Sequence, residues 1–200
     1  MRRSEFASTD PEEYLKIMAE ANVGHLGLVD SNGYPRIVPL NFVLVNDIIY
    51  FHGAQEGEKF DLLREAPKVT FSVDIPYSFI PSYWQSKRSA SFATQFFKSV
   101  HIRGTGSIVI DVEEKAEALQ KLMIKHQPEG KIVPINVTER IYRNEMTGVA
   151  VYRIDPVEIS VKIKFGQNLS RRVLSNIIER LRERDQGMDA ETIAEIKKNW

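Results

Sequence analysis

Two strand-like runs joined by a two-residue turn constrain this chain more than any other feature. Arg36-Ile-Val-Pro-Leu-Asn-Phe-Val43 is rich in β-branched and apolar residues, Asn46-Asp47 supplies the turn, and Ile48-Ile-Tyr-Phe-His-Gly-Ala54 runs back. Such spacing specifies a hairpin. Pro39 interrupts the first run, and a proline cannot donate to a sheet ladder, so this strand belongs at an edge or a bulge where backbone groups can meet a ligand. The second run ends on His52, and Gly53, Gly57 and Lys59 follow. The glycines allow a close approach to an anion, Lys59 adds a point charge, and a helix starting there would add unpaired N–H groups. A phosphorylated planar cofactor suits this hairpin.

The rest of the chain extends the β pattern. Asp10, Pro11 and Glu13 form a helix start, with the helix ending near Asn22. His25 to Val29 and Tyr34 to Val45 are strand-like and flank the turn Asp30-Ser-Asn-Gly33, so the first three strands are expected as a meander. A short helix over 58–65 stops before Pro67. Val69 to Val73 alternates as a half-buried strand does, and 100–112 is a long strand bent at Gly104 and Gly106. Asp111 and Glu114 cap a helix to about Lys125. Gly148 to Ile154 and Val157 to Lys164 are the last strands, separated by Asp155-Pro156. Six or seven antiparallel strands with short peripheral helices predict a mainly β protein, a closed barrel rather than a doubly wound sheet.

Composition removes several function classes. There are 27 basic and 27 acidic residues, so overall charge gives no reason to expect nucleic acid or an anionic membrane. No cysteine is present, which excludes disulfides, thiolate nucleophiles and cysteine-based metal sites and accords with a reducing cytoplasm. His25, His52, His101 and His126 include no pair at helical zinc spacing, so no metal is expected. No nucleophile elbow, P-loop or dinucleotide fingerprint occurs. No apolar run approaches the ~20 residues of a membrane span, and the start of the sequence lacks an apolar signal core, so a protein that stays in the cytoplasm is expected.

Two regions depart from the regular plan. Between Pro76 and Phe97 lie Tyr77, Phe79, Tyr83, Trp84, Phe92, Phe96 and Phe97, together with Lys87 and Arg88. A long loop is expected there, either packing between subunits or walling a site. From Leu169 to Leu181, apolar residues recur at helical spacing with arginines on the other face, and Gly187 closes the helix. Asp189 then caps a second helix. Acidic residues interspersed among those arginines favour a solvated face over a DNA-reading one.

The 36–59 block resembles the flavin-contacting hairpin of the pyridoxamine phosphate oxidase-like split barrels that bind FMN. It is most similar to the nitroimidazole-resistance (Nim-type) branch, in Val38-Pro-Leu-Asn-Phe42, Ile49-Tyr-Phe-His52 and Gly57-Glu-Lys59. The oxidases carry a lysine where this chain has Asn41, and that lysine helps hold the pyridoxal substrate. Ser99-Val-His-Ile-Arg-Gly104 and Lys164-Phe-Gly-Gln-Asn168 are similar to further segments of relatives. The resemblance implies a split-barrel domain over 1–165 with a helical extension over 166–200 packed on it, and a homodimer with FMN in the groove between subunits. It implies that Arg36, Ile37, Val38, Pro39, Leu40, Asn41, Phe51, His52, Lys59, Trp84 and Ser99 bind the cofactor. It further implies two-electron reduction of a small acceptor, a nitroaromatic or quinone, with a nicotinamide donor. The alternatives for this chain are a non-enzymatic flavin carrier or sensor, an FMN-linked transcriptional regulator and, less favoured, a haem-handling split barrel.

Overall fold

The computed structural model describes residues 3–65 and 67–199. The chain divides into two compact units, one of Tyr14–Val73 and Val100–Ile159, the other of Met1–Glu13, Asp74–Ser99 and Ser160–Trp200. Three long strands, β6 (Lys68–Ile80), β7 (Thr94–Ile108) and β8 (Ala150–Lys164), contribute residues to both.

In the first unit, β2 (Val23–Val29) pairs antiparallel with β3 (Pro35–Asn41), from Val23 opposite Asn41 to Val29 opposite Pro35. The Asp30 carboxylate closes this hairpin by accepting the Asn32 and Tyr34 N–H groups, each at 2.9 Å. Phe42 then breaks the strand, and β4 (Val43–Val45) forms a second hairpin with β5 (Ile48–Gly53). Asn46 and Asp47 have φ of 50° and 65°, the left-handed pair of a type I′ turn. The strand order is β3-β2-β6-β7-β8-β5-β4. Six flat interstrand steps would hold β3 and β4 roughly 29 Å apart, yet one residue, Phe42, joins them in sequence and spans no more than ~7 Å. The sheet therefore has to curl. The result is the antiparallel split barrel the sequence predicts, with the expected meander divided at Phe42 so that β5 pairs with β8 on its far side.

Phe42, Phe51 and Phe71 are fully buried inside this curl, and Phe42 meets Phe71 edge-on at 5.1 Å. A helix, α3 (Val112–His126), is capped by Asp111, whose side chain accepts the Glu114 N–H. Its Ala118 and Leu122 pack with Val43, Tyr50, Val109 and Val151. Two smaller helices, α1 (Pro11–Glu20), where the Asp10 cap places it, and α2 (Glu58–Arg64), which stops before Pro67, lie where the sequence predicts them. A further helix, α4 (Arg140–Gly148), is not among the expected elements, and Met146 is its one buried residue. The two expected C-terminal strands are a single strand. Pro156 is accommodated in β8, and a Cβ on Gly104 of β7 would lie 2.3 Å from the Asp155 carbonyl oxygen, so glycine there permits close approach.

In the second unit, β1 (Ala7–Ser8) pairs with β8, Ala7 opposite Lys162. The aromatic segment expected as a loop is largely regular. Strand β6 runs past Pro76 to Ile80, Ser82–Trp84 and Ala90–Phe92 are single 3-10 turns, and β7 starts at Thr94. Phe96 is buried, and Tyr77 and Phe96 both meet Phe165 edge-on, at 4.8 and 5.8 Å. Helix α5 (Arg171–Arg184) buries Leu174, Ile177, Ile178 and Leu181 and stops at the left-handed Asp185, ahead of Gly187. Asp189 does not cap α6 (Asp189–Lys198) but lies inside its first turn, buried against Arg184 and the Ser78 hydroxyl. Lys98 is fully buried between Glu13 and Glu195, at 3.6 and 2.8 Å. Among the described residues, no helix is long and apolar enough to cross a membrane.

Candidate functional site

Nine of the expected cofactor residues, Arg36 to Asn41, Phe51, His52 and Lys59, lie in the first unit. They sit on β3, β5 and α2. As the sequence predicts, β3 is an edge strand, so alternate backbone N–H and C=O groups along it have no ladder partner. Ile37 and Pro39 are exposed beside it, and Val38 and Leu40 are half-buried. Trp84 and Ser99 belong to the other unit. There Trp84 lies under the Arg184 guanidinium at 4.9 Å and its carbonyl accepts from Asn176, while Ser99 is buried on β7.

Lys59 is the centre of the hairpin group. Its ammonium stands 5.0 Å from the Tyr152 ring centroid and 5.6 Å from that of Phe51, and these two rings stack on each other. No carboxylate pairs with it among the described residues. Burial alone lowers its pKa, as expected for a cation held against apolar rings. Gly53 makes the position possible: a Cβ there would come within 2.6 Å of the Lys59 Nζ. Gly57 serves differently, its φ of 91° setting the turn into α2. That helix has seven residues, so its dipole is a poor anion trap and the lysine side chain has to carry the charge.

His52 adds a second base. Its ring reaches solvent, yet burial, then the Lys59 charge, then His126 all lower its pKa, so the ring is neutral near pH 7. His126, at the end of α3, places Nε2 3.1 Å from the Phe42 carbonyl oxygen. A carbonyl accepts only, so Nε2 carries the proton and Nδ1 keeps a lone pair. Asn41 faces that lone pair through Nδ2 at 3.5 Å, and Nδ2 also donates to the Asn22 carbonyl at 3.1 Å. The Asn41 amide nitrogen is thereby engaged by Asn22 and His126.

Arg36 is less available than the sequence suggests. Its Nε and second guanidinium nitrogen bind Glu58 Oε2 at 2.9 and 2.7 Å. Sequence reasoning missed Glu58 as this partner, along with His126, Asn22 and Tyr152. Of these, Tyr152 follows from alternation along Ala150 to Ile154 once the strand is aligned with β5, since it sits opposite Phe51. His126 lies 85 residues from Asn41, and no local signal links them.

The curled sheet and its exposed edge strand define a split-barrel protein. The family described as pyridoxamine 5′-phosphate oxidase matches residues 10–163, and the chain belongs to that family. Its fold is shared with a proposed 5-nitroimidazole antibiotic resistance protein from Bacteroides thetaiotaomicron, at 22% identity, TM-score 0.64, over 78% of this chain and 86% of that one. The flavocytochrome Anf3 from Azotobacter vinelandii is similar at 24% identity, TM-score 0.65, over 80% and 69%. An FAD and haem binding protein from Mycobacterium smegmatis is similar at 18% identity, TM-score 0.68, over 80% and 74%. No curated protein matches the chain.

Proposed function

We propose that the chain binds FMN at the β3–β5–α2 group and, as a homodimer, reduces a small planar acceptor with electrons from a nicotinamide nucleotide. The observation that carries this reading is the Lys59 ammonium beside the His52 ring with no described acid paired to it, a charge that a bound phosphate would neutralise. Support for a flavin comes also from the family and from fold relatives described as flavin-binding proteins.

The residues fit a phosphorylated planar group. Lys59 and His52 would hold the phosphate, the free backbone groups of Val38 to Asn41 would meet the ring edge, and the Oδ1 of Asn41 would accept one ring N–H. When bound, FMN supplies two-electron chemistry, and the protein supplies position and electrostatics. The exposed apolar side chains Val29, Ile37 and Val157 line a groove of about 540 Å³ that also holds Arg36 and Arg103. A second subunit covering it would exclude water from β3. Asn41, where the oxidases carry a substrate-holding lysine, leaves no cation there to anchor a pyridoxal phosphate. A flat acceptor stacked on the ring needs no such anchor.

The test is anaerobic. Flavin bound to the protein is reduced with NADH or NADPH, and a nitroimidazole or a quinone is then added separately, while pyridoxamine phosphate, itself an electron donor, is added to the oxidised flavin. Reoxidation by both acceptors and no bleaching by pyridoxamine phosphate are expected. Failure of both nicotinamide donors to bleach the flavin would move the protein to the carriers or sensors, and bleaching by pyridoxamine phosphate alone would make it an oxidase.

A further inference from the structure

Helix α6 buries a face that is mostly polar. Its buried residues are Asp189, Thr192, Glu195 and Ile196, so Ile196 alone among them is apolar, whereas α5 buries Leu174, Ile177, Ile178 and Leu181. Withdrawal of an apolar stripe from water is what ordinarily holds a surface helix to its sheet, and α6 has little of it. Polar groups hold it instead. Asp189 accepts from the Ser78 hydroxyl at 2.5 Å and pairs with Arg184, and the Ser78 N–H donates to the Thr192 hydroxyl at 3.1 Å. Glu195 lies 2.8 Å from the Lys98 ammonium, and Lys198 pairs with Glu13. The helix lies beyond residues 10–163, the part of the chain that the family match covers.

These contacts are not equally complete. Glu13 Oε2, Glu195 Oε2 and the Lys98 ammonium are buried atoms that make no hydrogen bond with any described group, although the ammonium is within ion-pair range of both carboxylates. The rest of its surroundings is aromatic, with the Tyr77 and Phe165 ring centroids at 5.7 and 6.0 Å. Buried charges short of hydrogen bonds gain solvation when water reaches them, which offsets much of what is lost by separating the pair. The connection to α5 is suited to turning. Asp185 and Gly187 have φ of 45° and 51°, so left-handed residues separate the two helices, and rotation there leaves both of them intact.

We propose that α6 is a latch: it swings off the sheet as one unit about 185–187, while α5 and the strands stay folded, and in doing so it uncovers the Lys98 ammonium. Shut, the latch places Glu195 against a cation that is fully buried. Open, it presents that cation beside two aromatic rings. The latch is independent of the flavin reading.

Native-state hydrogen exchange of the full chain, read by mass spectrometry in parallel with short pulses of an amine-acetylating reagent, tests this. Amides of 189–199 are expected to exchange together and faster than those of α5 and β7, and Lys98 is expected to be acetylated at the rate of that opening. Ile196→Ala, which removes the apolar anchor, should raise both rates about tenfold or more and leave β7 exchange unchanged. Exchange of 189–199 no faster than that of β7, or acetylation of Lys98 only at the rate of global unfolding, would overturn the proposal.

Discussion

Asn41 and His126 fix each other's polarity across 85 residues of sequence: the imidazole donates through Nε2 to the Phe42 carbonyl and accepts the Asn41 amide at Nδ1. Truncating His126 removes that acceptor and frees the Asn41 amide to rotate. His126→Ala and Asn41→Ala should each cost flavin affinity about 0.5–1.5 kcal/mol, or severalfold, and the double variant little more than either alone. Fluorescence titration measures this. Additive losses would show that the two residues act separately.

Gly53 should be as sensitive as Lys59, for a steric reason. The Cβ of Gly53→Ala would displace the Lys59 ammonium, which is the end of a flexible chain, so the fold should survive while the charge moves. FMN affinity is expected to fall towards that of Lys59→Ala, with an unchanged melting temperature. In Lys59→Ala the same glycine substitution should have almost no further effect.

Acid should weaken the folded protein and strengthen its hold on a phosphate. His52 has a lowered pKa when folded, so between that value and the unfolded ~6.5 the unfolded chain binds more protons, and stability from this group is lost as pH falls through that window. A phosphate beside His52 raises its pKa, so binding takes up a proton in the same range. Calorimetry at pH 6 in buffers of different ionisation heat should show net proton uptake, and His52→Gln should abolish it.

The Lys98 ion group of the second unit makes a separate claim about stability. Lys98 is fully buried between Glu13 and Glu195, and Glu13 is paired with Lys198 as well. Lys98→Met leaves two buried carboxylates facing each other and should cost roughly 3–5 kcal/mol. Adding Glu13→Gln and Glu195→Gln to it should recover much of the loss in urea unfolding.

What the sequence disclosed, and what it hid, follows from the range of each interaction. The Asn46-Asp47 turn, the Asp111 cap and the edge placement of β3 were legible because a few adjacent residues determine them. The regular course of 76–97 was hidden by Pro76, and by buried positions that fall on odd residues up to Val73 and on even ones from Ser78, so no single alternation runs through. At the site, Lys59 and His52 could be picked out from their spacing to Gly53 and Gly57. The tautomer of His126 and the capture of Arg36 by Glu58 depend on contacts between elements and leave no local trace.

The central claim is that Lys59, unpaired with any described acid and seated over Phe51 and Tyr152, holds the phosphate of a flavin. Equilibrium titration of FMN by fluorescence quenching, comparing the native chain with Lys59→Ala, tests it most directly. Tight binding by the native chain and a roughly ten- to hundredfold loss in the variant are predicted, with a smaller loss for Arg36→Ala because Glu58 already shares that guanidinium. Equal affinities in native and Lys59→Ala protein, or no FMN binding by the native chain, would contradict the account.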